Sequence, residues 1–417
     1  MSAVCLYFQV HQPYRIKKYR VFDVGHDHDY FASPDGSRLS NKDILQKVAR
    51  KSYLPANRTF LDLLKKYPRF KISFSLSGTV LDQLEAYSPE TLASFQELVS
   101  TGRAEVLSET YYHSLSFIFS RPEFIRQVKL HTQRIKSLFH VVPRVFRNTE
   151  LIYRNDLATE VEKLGHIGIL AEGADQVLQW RSPNFLYHPV GTQKLKLLLK
   201  NYRLSDDVAF RFSNPDWSEH PLTATKFAQW VSAVNGSGDI VNLFMDYETF
   251  GEHQWEDTGI FAFLQHLPGE IMKHPDNYFV TPSEAVKKLP AVAELDFPNF
   301  VSWADVERDI SAWLGNSMQD DAAAKIYSIE AAILKTKDSQ LISDWRRLQT
   351  SDHFYYMCTK WFSDGDVHKY FNPYDTPYEA FIAYMNVFQD LKMRLESRVK
   401  SKTKPKIQTE FQAKPNE

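Results

Sequence analysis

Three carboxylates and a histidine fall within eight residues, at Asp246, Glu248, Glu252 and His253, directly behind the largely apolar run Ile240–Met245. Like charges packed this closely raise one another's pKa and cost stability unless they are solvated or used. A strand alternates its faces, so Asn242, Phe244 and Asp246 share one side, and Glu248 joins them if the chain stays extended. Gly251 permits a tight turn and Trp255 offers a flat face. Carboxylates beside an aromatic suit a sugar, where one carboxyl moves a proton and the ring stacks. The competing interpretation of this stretch alone is an acidic loop in solvent.

Other chemistry-bearing residues also stand just past apolar runs. Ala3–Val10 leads into His11-Gln12-Pro13-Tyr14, with Gln9 and His11 on one face and Pro13 ending the ladder. Ala104–Leu107 runs out into Ser108-Glu109-Thr110-Tyr111-Tyr112-His113, and Arg144–Thr149 exits at Glu150. Glu150 and Asp246 are thus carboxylates placed directly after strands, and Asn148 shares the Glu150 face. Gly25-His26-Asp27-His28-Asp29 has the composition of a metal-ligand cluster, but no second ligand group of matching spacing accompanies it, and alternating His and Asp in a loop is more often solvated.

The elements that must position these residues alternate. Strands are predicted at 3–10, 71–76, 104–107, 144–149, 167–170, 195–199 and 240–245, with a weaker eighth run at 278–280. Helices are predicted at 41–64, interrupted at Leu54-Pro55, then at 80–87, 89–100 and 124–139. Strand–helix alternation with polar residues at strand C-terminal ends is the mark of a parallel α/β barrel, whose chemistry gathers on that face. After about Phe297 strands stop. Helices are predicted over 303–315, opened by Ser302 and closed by Gly315, and over 321–335, 338–348, 354–362 and 377–399. The domains expected are therefore a barrel over 1–297, a helical domain over 298–399 and a poorly ordered tail over 400–417.

Composition excludes several classes. With 50 basic and 51 acidic residues in 417, the net charge of -1 gives no footprint for nucleic acid or an acidic membrane. No run approaches the roughly 18 apolar residues of a membrane span, and Met1 leads straight into a strand, so the expected location is cytoplasmic. Cys5 and Cys358 fit no disulfide or zinc spacing and are expected in the core. The 29 Phe, 21 Tyr and 8 Trp suit both a large core and sugar stacking.

FQVHQPY (8–14), AEVLSETYYHSL (104–115), VFRNTELIY (145–153), MDYETFGEHQW (245–255) and WADVERDISAWLGN (303–316) together resemble, in order, the five conserved stretches of glycoside hydrolase family 57, and its α-amylase-like members above all. The resemblance implies an α/β fold, an incomplete (β/α)7 barrel followed by a helical domain, acting with retention on an α-glucan or maltooligosaccharide. It implies Glu150 as nucleophile and Asp246 as acid/base, with His11, His113, Glu248, His253, Trp303 and Asp305 around the substrate, and no metal or other cofactor. Some family members carry an acidic residue near the place of His113. Arg147 and His11 are candidates for biasing Glu150 toward its anion, and Glu248 for raising Asp246. His353 is expected to pack between domains.

Hydrolysis, 4-α-glucanotransfer and branching all pass through the same glycosyl-enzyme and differ in the acceptor. A compact chain without a long inserted lid favours hydrolysis. Two readings from other classes stand beside these: a metal-dependent deacetylase using His26–Asp29, which lacks a strand-end Asp pair with an HxxxH, and a catalytically silent α-glucan binder.

Overall fold

In the computed structural model, which describes residues 2–360 and 372–403, the chain folds around a ring of parallel strands. The strands are β1 (Ala3–Val10), β2 (Ile72–Leu76), β3 (Ala104–Val106), β4 (Val145–Arg147), β5 (Gly168–Glu172), β6 (Leu186–Pro189), β7 (Lys196–Lys200), β8 (Ile240–Asp246), β9 (Tyr278–Phe279) and β10 (Ala291–Leu295). Parallel ladders run β8-β1-β2-β3 and β4-β5-β7. A single parallel bridge, Ser108 to Phe146, joins the two arcs on one side. Opposite it the ladder is broken. There β7 and β8 meet through the Asn242 side chain, whose Nδ2 donates to Leu199 O at 2.9 Å, and through Asn201 N donating to Asn242 O at 2.9 Å. Seven strands, β1 to β5 with β7 and β8, therefore form an incomplete (β/α)7 barrel, as expected from the strand–helix alternation.

Both faces of these strands are buried, which is why they read as nearly continuous apolar runs. Val4, Leu6, Phe8 and Val10 of β1 point outward into the helices, while Ala3, Cys5 and Tyr7 point into the barrel with Leu170, Leu198 and Phe244. Cys5 and Cys358 are both free and buried.

The weak eighth run is β9, which pairs with β1 only at Ala3 and Val4. The short strands β6 and β10 escape sequence reading. They pair with each other, and β6 meets β7 antiparallel at Tyr187–Leu197. The break expected at Leu54-Pro55 lies one turn earlier, as a π-helical stretch Ala49–Tyr53 that runs directly into helix Leu54–Lys66, with Pro55 in its first turn.

The C-terminal region is helical: Ser317–Ser328, Glu330–Thr336, Ser339–Arg347, Ser351–Tyr355 and Pro377–Thr403. Trp313, Trp345, Phe354 and Tyr384 share one core with Tyr14, Tyr19, Tyr30 and Phe31 from the loop after β1. The long helix Pro377–Thr403 reaches that loop through Asp390, which accepts from Gly25 N, His28 Nδ1 and Tyr30 Oη at 2.6–2.8 Å. Among the described residues no helix is long and apolar enough to cross a membrane.

One predicted helix is absent. Residues 303–315 form consecutive turns, with Asp305 and Arg308 in the left-handed region at φ 55° and 50°. Ser302 does not act as a simple cap: its amide donates to Arg308 O at 3.1 Å and its hydroxyl to Asp309 O at 2.5 Å, so the segment doubles back on itself. Val306, which that helix would have buried, is 88% exposed. The helix predicted over 354–362 ends at Tyr355, and its last two positions lie outside the described residues, as does the expected tail from residue 404 onward.

Candidate active site

The sequence between β4 and the next helix places Glu150 in an unusual backbone conformation. Glu150 and Leu151 both adopt positive φ, 55° and 51°, in a single turn over Thr149–Leu151. That costs about 1 kcal/mol or more per residue and persists only when surroundings hold it. Here Asn148 Nδ2 clamps Ile152 O at 2.9 Å, and the Glu150 carbonyl accepts from Trp303 N at 3.2 Å. The side chain is thereby lifted off the strand line into the cleft. Its Oε1 accepts from His113 Nε2 at 3.2 Å and from the Ser351 hydroxyl at 3.1 Å, and its Oε2 from Trp303 Nε1 at 2.8 Å. Burial alone would push this carboxyl up, but the hydrogen bond and charge of His113, with the Arg147 charge, outweigh it and hold Glu150 below its ordinary value.

Asp246 ends β8, in register with Gln9 of β1, and lines the same cleft. It is pushed the other way, to about 6, first by burial and then by the negative charge of Glu150. Two residues on, Glu248 sits on the turn Tyr247–Thr249 and is raised to about 8 by burial and by Asp246. It accepts from Tyr53 Oη and, at 3.2 Å, from Gln12 Nε2. Near neutrality Glu248 therefore favours its protonated form and Glu150 its anion, while Asp246 changes charge about one unit below.

His113 is 2% exposed, and both of its ring nitrogens face carboxylates: Nδ1 lies 2.9 Å from Glu109 Oε2 and Nε2 meets Glu150. Burial lowers its pKa, yet these two partners raise it overall to about 9. The His11 ring stacks on it at 4.0 Å. Burial and the neighbouring His113 hold His11 below 6.5, so its ring is neutral, accepting from Ser77 Oγ at Nδ1 (2.7 Å) and donating from Nε2 to Asp352 (2.9 Å).

Arg147 is fully buried, with none of its guanidinium nitrogens hydrogen-bonded; its charge lies 4.7 Å from the Trp303 ring centre, and Lys200 Nζ lies 5.4 Å from the same ring. Lys200 also pairs with Asp206 at 2.9 Å, and Arg308 with Glu172 at 3.1 Å. His253 is lowered to about 4 by burial. Lys200, Asp206 and Arg308 line a cleft of about 940 Å³ together with the residues expected around the substrate: His11, His113, Glu150, Asp246, Glu248, His253, Trp303 and Asp305.

Sequence reading missed Ser351, Asp352, Tyr53, Lys200 and the role of Glu109 beside His113. Ser351 and Asp352 stood next to His353, the residue that drew notice. His353 itself is buried and turned away, its Nε2 on Arg347 O at 3.1 Å. The His26–Asp29 cluster lies away from the cleft, spread over separate partners: Asp27 pairs with Lys17 at 2.5 Å and His28 with Asp390. Among the described residues no group of three or more His, Cys, Asp or Glu is placed to hold a metal ion.

Comparison with known proteins gives a consistent result. The model of the family described as "Glycosyl hydrolase family 57" matches residues 5–298. A Methanocaldococcus jannaschii protein named "Putative alpha-amylase" is 41% identical over 397 residues, which cover 92% of this chain and 83% of that protein. The crystal structure of a GH57-type branching enzyme from Pyrococcus horikoshii superposes with a TM-score of 0.70 at 15% identity, covering 97% of this chain and 92% of that one. A 4-alpha-glucanotransferase from Thermococcus litoralis superposes with a TM-score of 0.65 at 13% identity, and this chain covers 56% of its length. At such identities the two structures share the fold.

Proposed function

The chain belongs to glycosyl hydrolase family 57, and from that membership and the cleft we propose that it hydrolyses α-1,4-glucosidic bonds of α-glucans with retention, Glu150 being the nucleophile and Asp246 the acid/base. The observation that carries this reading is the opposite protonation bias of two carboxyls in one cleft: Glu150 held as an anion by three donors, Asp246 raised to about 6. A retaining glycosidase needs that division of labour.

In the first step Glu150 attacks the anomeric carbon while the Asp246 proton passes to the departing glycosidic oxygen. In the second, Asp246 takes a proton from water as that water displaces Glu150. Two inversions give net retention. The Arg147 and Lys200 charges, flanking Trp303, add positive potential at the nucleophile's end of the cleft. The name of the M. jannaschii relative favours an amylase-type reaction over transfer or branching.

A time course with maltoheptaose tests the reading. Shorter maltooligosaccharides with net new reducing ends are expected. Longer and shorter chains at constant reducing power would replace hydrolysis with transfer, α-1,6 linkages by NMR would mean branching, and binding without turnover of any glucan would leave a silent binder. The nucleophile is tested separately: Glu150→Gly with azide should yield a β-glycosyl azide, and an α product would move the nucleophile elsewhere.

A further inference from the structure

We propose that Glu109 is a positioning residue of this reaction: its buried carboxylate keeps His113 doubly protonated and fixed in place, so that Glu150 is met by an imidazolium N–H donor throughout the working pH range. The inference rests on Glu150 being the nucleophile. Glu109 is 0% exposed and is not part of the cleft wall, so it has no sugar to touch. A buried carboxylate is costly unless it is paired and hydrogen-bonded. Its partners are Gln9 Nε2 at 3.2 Å on Oε1 and His113 Nδ1 at 2.9 Å on Oε2.

His113 has a carboxylate oxygen at each ring nitrogen, and an ionised carboxylate only accepts. Both nitrogens must then carry hydrogen, which makes the ring a cation. The turn Thr110–His113 brings this about. His113 N donates to Thr110 O at 3.1 Å, His113 takes φ 48°, and its carbonyl accepts from Ser351 N at 2.9 Å, so the ring is returned over Glu109 and aimed at Glu150.

The other groups around the pair do not supply the effect. His11, stacked on His113, is neutral and turned to Asp352. His131 is also held below its ordinary value, donates from Nε2 to Leu76 O at 2.8 Å, and offers only Nδ1 to the Glu109 amide. Arg147 and Lys200 are cations and oppose a charged His113. Asp246, raised only to about 6, is a carboxylate over the alkaline range but makes no hydrogen bond to the ring, and the Asp352 carboxylate is taken up by His11. Glu109 and Glu150 are the two carboxylates hydrogen-bonded to the ring, and Glu150 loses its charge when it forms the glycosyl-enzyme. At that stage Glu109 is the one carboxylate still hydrogen-bonded to the imidazolium, which stands ready to stabilise Glu150 as it departs with the electron pair of the broken C–O bond.

The test uses imidazole ¹⁵N NMR and a maltoside with an activated aryl leaving group, for which hydrolysis of the glycosyl-enzyme limits kcat. Asp246 then acts as base and sets the acid limb, leaving the alkaline limb to His113. In the wild type His113 should titrate near pH 9, a measurement that needs no variant; a midpoint below 7 overturns the proposal. In Glu109→Gln the midpoint should fall by at least one unit, the alkaline limb of kcat should fall with it, and KM should change less than twofold. Glu109→Asp should restore most of both shifts. A midpoint that stays, or one that falls while the limb stays, overturns the proposal. Azide rescue of Glu150→Gly separates the two levels: a β-glycosyl azide with an unmoved limb removes Glu109 only, whereas failure of rescue removes the Glu150 reading and this inference with it.

Discussion

Replacing Trp303 with phenylalanine removes one hydrogen bond and little else. The indole Nε1 donates to Glu150 Oε2 at 2.8 Å, while a phenyl ring in its place still lies against the Arg147 and Lys200 charges. A hydrogen bond to a charged acceptor is worth about 1.5–3 kcal/mol and one to a neutral acceptor about 0.5–1.5 kcal/mol. The ionised form of Glu150 therefore loses roughly 1–1.5 kcal/mol more than the protonated form, and at 1.36 kcal/mol per pKa unit its pKa rises by about one unit. The acid limb of kcat/KM on maltooligosaccharides reports this ionisation in the free enzyme. In Trp303→Phe that limb should move up by about one pH unit while the alkaline limb, set by Asp246, stays. Since Asp246 is already near 6, the bell narrows and its peak falls. An unmoved acid limb in a variant with wild-type thermal stability would refute the claim that Trp303 holds Glu150 ionised.

Asp246→Asn should lower maltoheptaose turnover by about 10²–10⁴-fold while sparing formation of the glycosyl-enzyme from an activated aryl maltoside; equal loss in both assays would deny Asp246 the acid role. Gly251 holds φ 107° with the Lys51 carbonyl against it, so Gly251→Ala should cost more than about 1 kcal/mol and lower the melting temperature, and an unchanged Tm in calorimetry would count against the strain. His113 has a folded pKa of about 9, above its unfolded value near 6.5. The proton is thus bound more tightly in the folded state, and the stability this adds is full below pH 6.5 and lost as pH rises through about 9. Denaturant titrations should show the wild type losing more stability over that window than His113→Gln, and parallel curves would contradict the linkage.

The barrel was legible because its longer strands are buried on both faces and rich in apolar residues, and because His11, Glu150 and Asp246 stand at or just past strand ends; β1, β5 and β8 show the buried runs directly. The strands that escaped, β6 and β10, are short and outside the barrel ring. β10 is largely exposed, so no buried run marks it. The segment 303–315 failed for another reason. Its apolar residues do recur at helical spacing, but a serine that donates to Asp309 O and two left-handed residues turn the chain back, and propensity carries no trace of that tertiary demand.

What sequence order could least show is that the cleft is closed by contacts across the whole chain. His11 meets Asp352 across 341 positions, and Glu150 meets Ser351 and Trp303 across 201 and 153. All three partners stand beyond the seventh barrel strand, on the segment that doubles back or at the start of a short helix. The barrel by itself would present Glu150 with one donor, His113, in place of three, and would leave His11 without the carboxylate that fixes its tautomer. The C-terminal region thus helps to build the cleft as well as covering the loop after β1. It supplies two of the three hydrogen bonds that hold the Glu150 carboxylate, and a sequence motif reveals such a contribution only where, as at Trp303, the residue type is itself conspicuous.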